Sequence, residues 1–441
     1  MITLVEALHF RCLRYITRPL GPFHVLVGPN ASGKTTFLDV VAFLGDLVSE
    51  GLETAVNQRS KNFKDLLWKT GEQSRLPNNG GGKESGVEIA SQAKFELAIE
   101  AGIPNDLREK LPQRQNHDTI RYEVAVGIDP DTQEVGIFAE RVILKAGKRP
   151  SEQQWHLFPR ELDVPSTILA SAGHRHGFRT VINKVSGGND NFYSEVYGAS
   201  GKGWAPAFRL GLHKSALGNL PEDESKFPVS TWLKRLLSEG VQQFMLNSLL
   251  IRKASPPGQV RGFKPDGSNI PWVVDRLEKD HPQRFRDWIA HVQTALPDLE
   301  TVETIEIPDD KHRYLILRYR GNLKIPSWIA SDGTLRLLAL TLPAYLPDFK
   351  GIYLIEEPEN GIHPSAVESI FQSLSSVYDA QILIATHSPV ILSLAEADKL
   401  LCFAKTARGA TDIVPGDKHP ALKDWKGEVN LSDLFAAGVL G

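Results

Sequence analysis

The sequence predicts an α/β protein with a mixed sheet and an antiparallel β lobe, and three observations support this fold class. The apolar run at 23–27 leads into a glycine-bearing loop and then a helical pattern, which is the order strand, loop, helix. Apolar runs at 352–355 and 381–386 flank a helical pattern at 365–377, as in a right-handed parallel crossover. Alternating segments joined by turn residues between 87 and 144 indicate antiparallel strands.

The N-terminal unit is predicted from two periodicities. Residues 1–27 alternate and end in a continuous apolar run, so we expect strands, the last of them buried. The segment from Lys34 to Val48 is expected to be a helix. One face of that helix is formed by apolar residues at helical spacing, Phe37, Val41, Leu44 and Val48.

The antiparallel lobe is predicted between residues 50 and 145. Strands are expected at 87–99, 121–128 and 135–144, and Asp129-Pro130-Asp131-Thr132 is a turn signal between the last two. The glycine-rich stretch at 78–83 lacks a following helix. It therefore predicts a loop or hairpin tip and not a phosphate site.

The middle of the chain carries weaker signals. We expect one helix over 230–251, ended by Ser255-Pro256-Pro257-Gly258, and a second over 272–296, split near Pro282. A strand is expected at 314–319, and no heptad pattern persists, so we predict no long coiled coil. The organisation predicted is the first half of one domain at 1–150, an inserted helical and mixed α/β region at 151–325, and the second half of that domain at 326–441.

Composition restricts the class of protein. The 441 residues are 41% hydrophobic with a net charge of −3, so there is no overall basic signature for nucleic acid. Cys12 and Cys402 are the two cysteines, which argues against a disulfide framework. No run of about 18 apolar residues occurs, so we expect no membrane span and a cytoplasmic protein. Basic stretches at 173–179, 252–253 and 284–286 are interpreted as solvated surface.

The strongest motif is a phosphate-binding loop of the pattern Gly-x-x-x-x-Gly-Lys-Thr. Its backbone N–H groups and the helix that follows can surround phosphate oxygens. The lysine supplies a charge to the β- and γ-phosphates, and the first threonine hydroxyl is placed to ligate Mg²⁺. The nucleotide-binding residues predicted here are Gly28, Pro29, Asn30, Ala31, Ser32, Gly33, Lys34, Thr35 and Thr36.

A second motif is a buried strand that ends in two acids, Glu356 and Glu357. Open α/β sheets bind ligands at the carboxyl ends of their strands. We expect Glu356 to hold Mg²⁺, together with Thr35, and Glu357 to act as the general base on the attacking water. The alternative is an exposed glutamate pair at a strand end.

Two further segments have weaker patterns. His387 follows the buried strand at 381–386 and could reach a γ-phosphate or orient the water, although a lone histidine is more often structural. Ser331-Asp332-Gly333-Thr334 opens a helix. It could bind an anion at the helix N-terminus or serve only as a cap.

The order of these elements resembles that of ABC-type ATPase heads. The segments 355–364, 331–336 and 265–269 resemble AAA-type ATP-binding proteins related to RecF, SMC proteins and OLD nucleases. The resemblance implies that Ser331 and Gly333 form the signature motif, which contacts the γ-phosphate held by another protomer. It also implies that Glu357 is the catalytic carboxylate and His387 the switch histidine.

The resemblance has further implications and one departure. His363 stands where transporter-type ATPases carry the D-loop aspartate, and Gln58 lies in a plausible region for a Q-loop glutamine. OLD nucleases carry a Toprim nuclease domain after the ATPase, and the tail after His387 is too short for one. Asp424 and Asp433 are therefore interpreted as surface charges, and any nuclease activity is expected on another chain.

The implied function is ATP hydrolysis with Mg²⁺ at composite sites between subunits, hence a homodimer or higher oligomer. The switch would control a separate effector, a nuclease or toxin, or DNA, most readily in anti-phage defence. The alternatives are a DNA repair ATPase similar to RecF and an ATP-gated scaffold with little turnover. A transporter role is discounted, because the signature Leu-Ser-Gly-Gly-Gln and a membrane span are missing.

Overall fold

The computed structural model describes residues 1–69, 93–112, 116–146, 157–170, 177–197, 205–422 and 431. The predicted loop at 78–83, residues 173–176 of the basic stretch, Asp424 and Asp433 lie outside these residues. Within the described residues, no helix has the length and apolar character needed to cross a membrane.

The described strands fall into three sheets. In chain order they are β1 (Ile2–Phe10), β2 (Leu13–Pro19), β3 (Phe23–Val27), β4 (Lys94–Gly102), β5 (Thr119–Ile128), β6 (Val135–Lys145), β7 (Phe178–Val185), β8 (Asp190–Phe192), β9 (Ala207–Phe208), β10 (Val241–Phe244), β11 (Leu299–Glu306), β12 (Arg313–Tyr319), β13 (Leu323–Pro326), β14 (Gly351–Glu356), β15 (Ala380–Ala385), β16 (Leu400–Lys405) and β17 (Thr411–Pro415).

The described α-helices are short to medium in length. They are α1 (Lys34–Ser49), α2 (Leu52–Asn57), α3 (Asn105–Arg108), α4 (Pro228–Ser238), α5 (Ser248–Ile251), α6 (Ile270–Asp280), α7 (Pro282–Ala295), α8 (Asp332–Thr341), α9 (Pro364–Ser375) and α10 (Pro389–Leu394). The longest of them, α1, has 16 residues, so the described chain contains no long coiled-coil arm.

The sheets confirm the predicted fold class. A six-stranded sheet has the order β10-β14-β15-β3-β16-β17, and all its pairs are parallel except β16 with β17. An eight-stranded sheet has the order β2-β1-β4-β5-β6-β7-β8-β9 and is antiparallel throughout. β11, β12 and β13 form a small third sheet. The mixed sheet and the antiparallel lobe are therefore both present.

Helix α1 lies between the two large sheets. Phe37, Val41 and Leu44 are fully buried and share a core with Leu26, which comes from the six-stranded sheet, and with Phe95 of the eight-stranded sheet. Helices α6 to α9 cover the other face of the six-stranded sheet, where Val25 and Val27 point. Residues of β3 therefore alternate between two cores, because successive side chains of a strand point to opposite faces.

The predicted helix over 230–251 is wrong. Helix α4 ends at Ser238, and β10 follows as the edge strand of the six-stranded sheet, paired with β14. Gly240 N donates to Leu236 O, and Gly240 O accepts from Ile352 N at 2.8 Å. Pairing with a strand more than 100 positions away overrides the helical spacing of the apolar residues, and this contact is invisible in the local sequence.

Two other predictions for the middle region hold. The helix at 272–296 is split as expected, because α6 ends before His281 and α7 begins at Pro282. The strand at 314–319 is present as β12. The division at 150 and 325 stays a prediction, and β6 pairs with β7 across residue 150.

Candidate functional site

The phosphate-binding loop connects β3 to α1 and needs its two glycines. Gly28 has φ 149°, and a Cβ there would lie 2.2 Å from the carbonyl oxygen of Phe403. Gly33 has φ 104°, and a Cβ there would lie 2.4 Å from Thr411 Oγ1. Both positions therefore exclude side chains on steric grounds as well as by backbone conformation. Thr411 Oγ1 also donates to Ser32 O at 2.8 Å, which ties the loop to β17.

The first turn of α1 is open to a ligand. Gly33 precedes the helix in a left-handed conformation, and no side chain caps it. The N–H groups of the first helical turn have no partner within the helix. With the helix dipole they form an anion-binding site at the carboxyl end of β3.

Lys34 is buried beneath this loop. Its Nζ donates to Gly28 O at 2.8 Å and to Pro29 O at 3.0 Å. Burial lowers the pKa of Lys34 to about 8, and the nearby carboxylates of Glu357 and Glu356 oppose this effect. Within the described residues its hydrogen bonds go to neutral carbonyl oxygens, so a bound phosphate would add a charge-assisted hydrogen bond to this buried ammonium.

Thr35 and Glu356 form the predicted metal pair. Thr35 Oγ1 donates to Glu356 Oε2 at 2.7 Å, although the two residues are 321 positions apart. Glu356 is the exposed last residue of the otherwise buried β14. Mg²⁺ takes one or two protein oxygen ligands and completes its shell with phosphate and water. This hydroxyl and carboxylate fit such an ion, since both are exposed beside the phosphate-binding loop.

Glu357 begins the turn after β14 in an unusual backbone conformation. Its φ is 46°, which is uncommon for a residue with a side chain. Its N–H donates to Ala385 O at 2.8 Å. Asn360 Nδ2 donates to the carboxylate of Glu357. The predicted base is therefore held at the carboxyl end of the parallel strands by contacts on both its backbone and its side chain.

His387 follows β15 beside the same edge of the sheet. The N–H of His387 donates to Glu359 Oε1 at 3.2 Å, and Thr386 Oγ1 donates to the same oxygen at 2.6 Å. Burial lowers the pKa of His387, Lys34 lowers it further, and Glu357 and Glu359 oppose the shift. The imidazole is therefore predominantly neutral at neutral pH, when one ring nitrogen is a donor and the other an acceptor.

These side chains line one cavity of about 500 Å³. The size is in the range typical of small-molecule and cofactor sites. The cavity brings together residues separated by more than 300 positions, because β3, β14 and β15 are neighbours in the sheet. Its lining residues are Arg11, Cys12, Asn30, Ala31, Ser32, Gly33, Lys34, Thr35, Thr36, Glu356, Glu357, Ala385, His387 and Lys405.

Arg11, Cys12 and Lys405 were missed by the sequence analysis. Arg11 and Cys12 lie in the turn between β1 and β2, and Arg11 Nη1 donates to Asp39 Oδ2 at 2.8 Å. Cys12 Sγ lies 3.4 Å from Thr36 Oγ1. Lys405 is the last residue of β16. Only the position of Lys405 at the end of an apolar run was a readable signal, and it required knowing that β16 is next to β3.

Ser331, Gly333 and His363 lie elsewhere, and none of them lines the cavity. Ser331 caps α8, because its Oγ accepts from Thr334 N at 3.1 Å. His363 caps α9 by accepting from Ser365 N at 3.3 Å. A Cβ at Gly333 would be 2.8 Å from Gly361 O, so the start of α8 packs closely on the turn before α9. These three residues therefore belong to one surface region of their own.

Gln58 is also outside the cavity. Its Nε2 donates to Glu50 Oε2 at 3.2 Å, near the C-terminal end of α1. Of the predicted basic patches, Arg252 is paired with Asp332 and donates to Trp328 O. Arg286 Nη2 donates to Gln283 Oε1 at 2.6 Å.

Comparison with known proteins agrees with this geometry. Residues 23–145 and 189–393 match the family model described as "AAA domain, putative AbiEii toxin, Type IV TA system". A stretch of 48 residues, 11% of the chain, is 46% identical to an OLD nuclease of Thermus scotoductus. That stretch covers 9% of the nuclease, so the match spans only a small part of that relative.

Two solved structures share the fold. One is an SMC head bound to the C-terminal winged-helix domain of ScpA, with a TM-score of 0.52, 12% identity, and coverage of 94% of this chain and 97% of that one. The other is the Smc head with an extended coiled coil bound to the C-terminal domain of ScpA from Pyrococcus furiosus, with a TM-score of 0.50, 13% identity, and coverage of 94% and 95%. At these identities the likeness establishes the fold of an ABC-type ATPase head. The shared fold and the local match agree with the resemblance to ABC-like ATPases of the RecF, SMC and OLD group. Since the family model matches more than half of the chain, the protein belongs to this AAA-domain family.

Proposed function

We propose that this protein is an ATP hydrolase whose complete catalytic site forms between two copies of the chain. One observation carries the proposal. The phosphate-binding loop, the acid pair and His387 line a single cavity, whereas Ser331 and Gly333 lie outside it. A signature region that is separate from its own nucleotide cavity is available to the nucleotide of a second subunit.

Each residue of the cavity has a role in this proposal. Lys34 and the open N-terminus of α1 bind the β- and γ-phosphates, and Thr35 and Glu356 would hold Mg²⁺, which neutralises phosphate charge. Glu357 accepts the proton of the attacking water. His387, with a neutral imidazole, donates a hydrogen bond toward the γ-phosphate as charge moves onto its oxygens.

The second subunit would supply its N-terminus of α8, with Ser331 and Gly333, to the γ-phosphate, and His363 to the same interface. ATP then bridges two copies, and hydrolysis removes the bridging group. Because the site is symmetric, a homodimer contains two such sites. The released free energy acts as a switch between engaged and separated subunits.

We further propose that this switch controls a separate effector protein, a nuclease or toxin, in cytoplasmic anti-phage defence. The family description and the match to an OLD nuclease support this role. The effector would be encoded on another chain. DNA repair and an ATP-gated scaffold with little turnover are the competing roles, and no contact in the described residues favours either.

A mixing experiment tests the composite site. Lys34→Ala removes phosphate binding, and Ser331→Arg blocks the signature region, so each variant alone should be inactive in ATP hydrolysis. A mixed dimer retains one site with both parts intact, so an equimolar mixture should recover about a quarter of wild-type turnover. No recovery in the mixture, with both variants folded and shown to associate with each other in the presence of ATP, contradicts the composite site.

A second experiment separates engagement from hydrolysis. Glu357→Gln keeps the shape of the side chain but removes the base, so turnover should fall by roughly 100-fold or more while ATP binding remains. Light scattering should then show a dimer with ATP and a monomer without it. Lys34→Ala is the control that should stay monomeric in both conditions. A Glu357→Gln protein that stays monomeric at saturating ATP would contradict the model in which ATP bridges two subunits.

A third measurement addresses the biological role. Duplex DNA should leave ATP turnover unchanged at low salt if the effector is a protein, whereas a repair ATPase should be stimulated by DNA. Contacts to phosphates weaken with rising salt, so retention of the protein on DNA must be measured at low ionic strength. Co-purification with the product of a neighbouring gene would support the effector model.

A further inference from the structure

Glu359 lies in the turn between β14 and α9 and contacts the segment that carries His387. Its Oε1 accepts from Thr386 Oγ1 at 2.6 Å and from His387 N at 3.2 Å. Its other oxygen, Oε2, is buried and has no hydrogen-bond partner among the described residues. Glu359 does not line the nucleotide cavity. It is therefore a half-buried carboxylate, with one oxygen fully buried, placed directly behind the predicted switch histidine.

The hydrogen bond from His387 N to Glu359 takes the place of strand pairing at the end of β15. β15 is paired with β14 as far as Ala385 opposite Glu356, and its regular pairing ends there. On its other side, toward β3, the pairing continues by one bond, because Thr386 N donates to Leu26 O at 3.2 Å. At His387 the strand pairing has ended, and the N–H donates to the side chain of Glu359 instead.

The hydroxyl of Thr386 extends this arrangement to α10. It donates to Glu359 Oε1, and it also accepts from Ser388 N at 2.9 Å. Ser388 in turn caps α10, because its Oγ accepts from Ile391 N at 3.4 Å. One carboxylate oxygen therefore fixes the backbone from Thr386 to Ser388 on both sides of the imidazole.

We propose that Glu359 is a positioning residue that aims the His387 imidazole at the γ-phosphate. The inference rests on the proposed ATPase function, since it assigns a task to a residue behind that site. Charge-assisted hydrogen bonds are shorter and stronger than neutral ones, which suits a carboxylate that must hold a loop against motion. A misplacement of about 1 Å of a catalytic group can cost roughly 100-fold in rate.

The groups that face His387 are Lys34, Glu357 and Glu359. The last two carboxylates differ in what they contact. Glu357 is held by Asn360 and lines the cavity, whereas Glu359 binds the backbone of the histidine segment. Substitutions of Glu359 should therefore act through the orientation of His387 and leave the base in place.

The first test compares Glu359→Ala with Glu359→Gln. The alanine variant loses the acceptor, so kcat should fall by roughly tenfold to 100-fold while nucleotide affinity stays within about threefold. Glutamine keeps an acceptor oxygen and should lose less than about fivefold. Glu368→Gln is the matched control, because Glu368 is exposed on α9 and its side chain accepts a hydrogen bond from Gln372 on the same helix. A Glu359→Ala protein with wild-type kcat overturns the proposal.

The second test measures hydrogen exchange at the His387 amide and does not depend on turnover. Glu359→Ala should raise exchange at residues 386–388 while β14 stays protected, and Glu359→Gln should leave that exchange close to the wild-type rate. If the wild-type protein neither binds nor hydrolyses ATP, the proposed function fails. The exchange result still decides whether Glu359 holds this segment. Unchanged exchange in Glu359→Ala contradicts the inference on its own.

The third test asks whether the two residues act through their shared hydrogen bond. Thr386→Val removes the donor, and Thr386→Ser retains it. If Glu359 acts through Thr386 and His387, the double variant Glu359→Ala with Thr386→Val should be about as active as the less active of the two single variants. Fully multiplicative losses would show that Glu359 acts elsewhere, and would overturn the positioning role.

Discussion

Glu356 stands at the end of a parallel strand in the six-stranded sheet, whereas Glu123 and Glu140 of the eight-stranded sheet lie in the middle of antiparallel strands. Glu356 is the exposed last residue of β14, and its side chain accepts a hydrogen bond from Thr35. In β5, Glu123 is completely buried and bonds to Arg121. Residues of the same type therefore occupy opposite environments in two sheets that share the helix α1.

The charges of the eight-stranded sheet neutralise one another. Arg121 lies 2.6 Å from Glu6, 3.1 Å from Glu100 and 2.8 Å from Glu123. Burial alone would lower the pKa of Arg121, but the carboxylates of Glu6 and Glu123 raise it above its ordinary value. Pairs of this kind are costly to break and add little when complete, so they specify the arrangement of strands more than they stabilise it.

Glu140 of β6 is satisfied in the same way but by neutral donors. It accepts from Tyr122 Oη at 3.0 Å and Ser215 Oγ at 2.7 Å, and from the N–H groups of Ala216 and Leu217. Burial raises the pKa of Glu140, and these hydrogen bonds counteract the shift. The two sheets therefore differ both in burial and in partners: Glu140 is buried among four protein donors, whereas Glu356 is exposed beside the phosphate-binding loop.

The largest effect, on the free energy of unfolding, is expected from removal of the buried carboxylate Glu140. Glu140→Ala leaves four donors without an acceptor and opens a cavity, so the free energy of unfolding should fall by about 3–5 kcal/mol. Glu140→Gln keeps the volume and one acceptor oxygen and should lose about half as much. Urea denaturation measures both values. ATP affinity per folded molecule should be unchanged, and a loss of affinity in the folded protein would contradict the structural assignment.

The next largest effect, on ATP affinity, is expected from removal of the Lys34 ammonium in the candidate nucleotide site. Lys34→Ala should weaken ATP binding by roughly 100-fold, because the loop loses its only buried ammonium beside the phosphates. Unlike Glu140→Ala, it should not lower the free energy of unfolding, since the ammonium now lies buried with carbonyl partners only. Calorimetric titration with ATP and a thermal melt decide the matter. A Lys34→Ala protein that is destabilised but still binds ATP tightly would show that Lys34 is a structural residue and does not bind phosphate.

A smaller effect sharpens the role of the strand ends. Thr35→Val removes the hydroxyl that bonds to Glu356, so Mg²⁺-dependent turnover should fall by roughly tenfold. Thr35→Ser retains the hydroxyl and should stay close to wild type. The measurement is ATP turnover against Mg²⁺ concentration. Equal behaviour of the valine and serine variants would show that Thr35 takes no part in holding the ion.

The smallest effect is a pH dependence with opposite signs for affinity and stability. The pKa of Lys34 is about 8 in the free protein. Bound phosphates would raise it, so ATP affinity should decline above about pH 8, by less than tenfold per pH unit. The unfolded chain, with a lysine pKa of about 10.4, binds more protons between these values, so stability without nucleotide should rise there. Lys34→Ala is the control that should lack both trends.

Sequence patterns placed residues correctly where only consecutive residues matter. The loop after β3, the acids at the end of β14 and His387 after β15 lie where the apolar runs predicted these strands to end, and their functional roles stay predictions. Both signals are local in the sequence. A phosphate-binding loop needs particular backbone conformations next to a lysine. The end of a buried strand is marked by a change from apolar to charged residues.

Patterns failed where a long-range contact decides the outcome. Residues 241–244 belong to a strand and not to a helix because β14 lies beside them. The contact of Glu359 with Thr386 and His387 joins two segments that are 27 and 28 positions apart. Arg11 and Lys405 reach the cavity because β16 and the turn after β1 happen to border it. None of these contacts leaves a local periodicity.

The sequence alone located the residues on which the proposed chemistry depends, namely the phosphate-binding loop, the Thr35 hydroxyl, the acids Glu356 and Glu357, and His387. Each depends on residue type and on neighbours along the chain, which are fixed before folding. Only the tertiary structure decided which groups meet. Strand order brings β3, β14 and β15 side by side, leaves Ser331 and Gly333 outside the cavity, and puts Glu359 behind His387. Strand order is set by burial of the whole sheet against α1, which no short segment records.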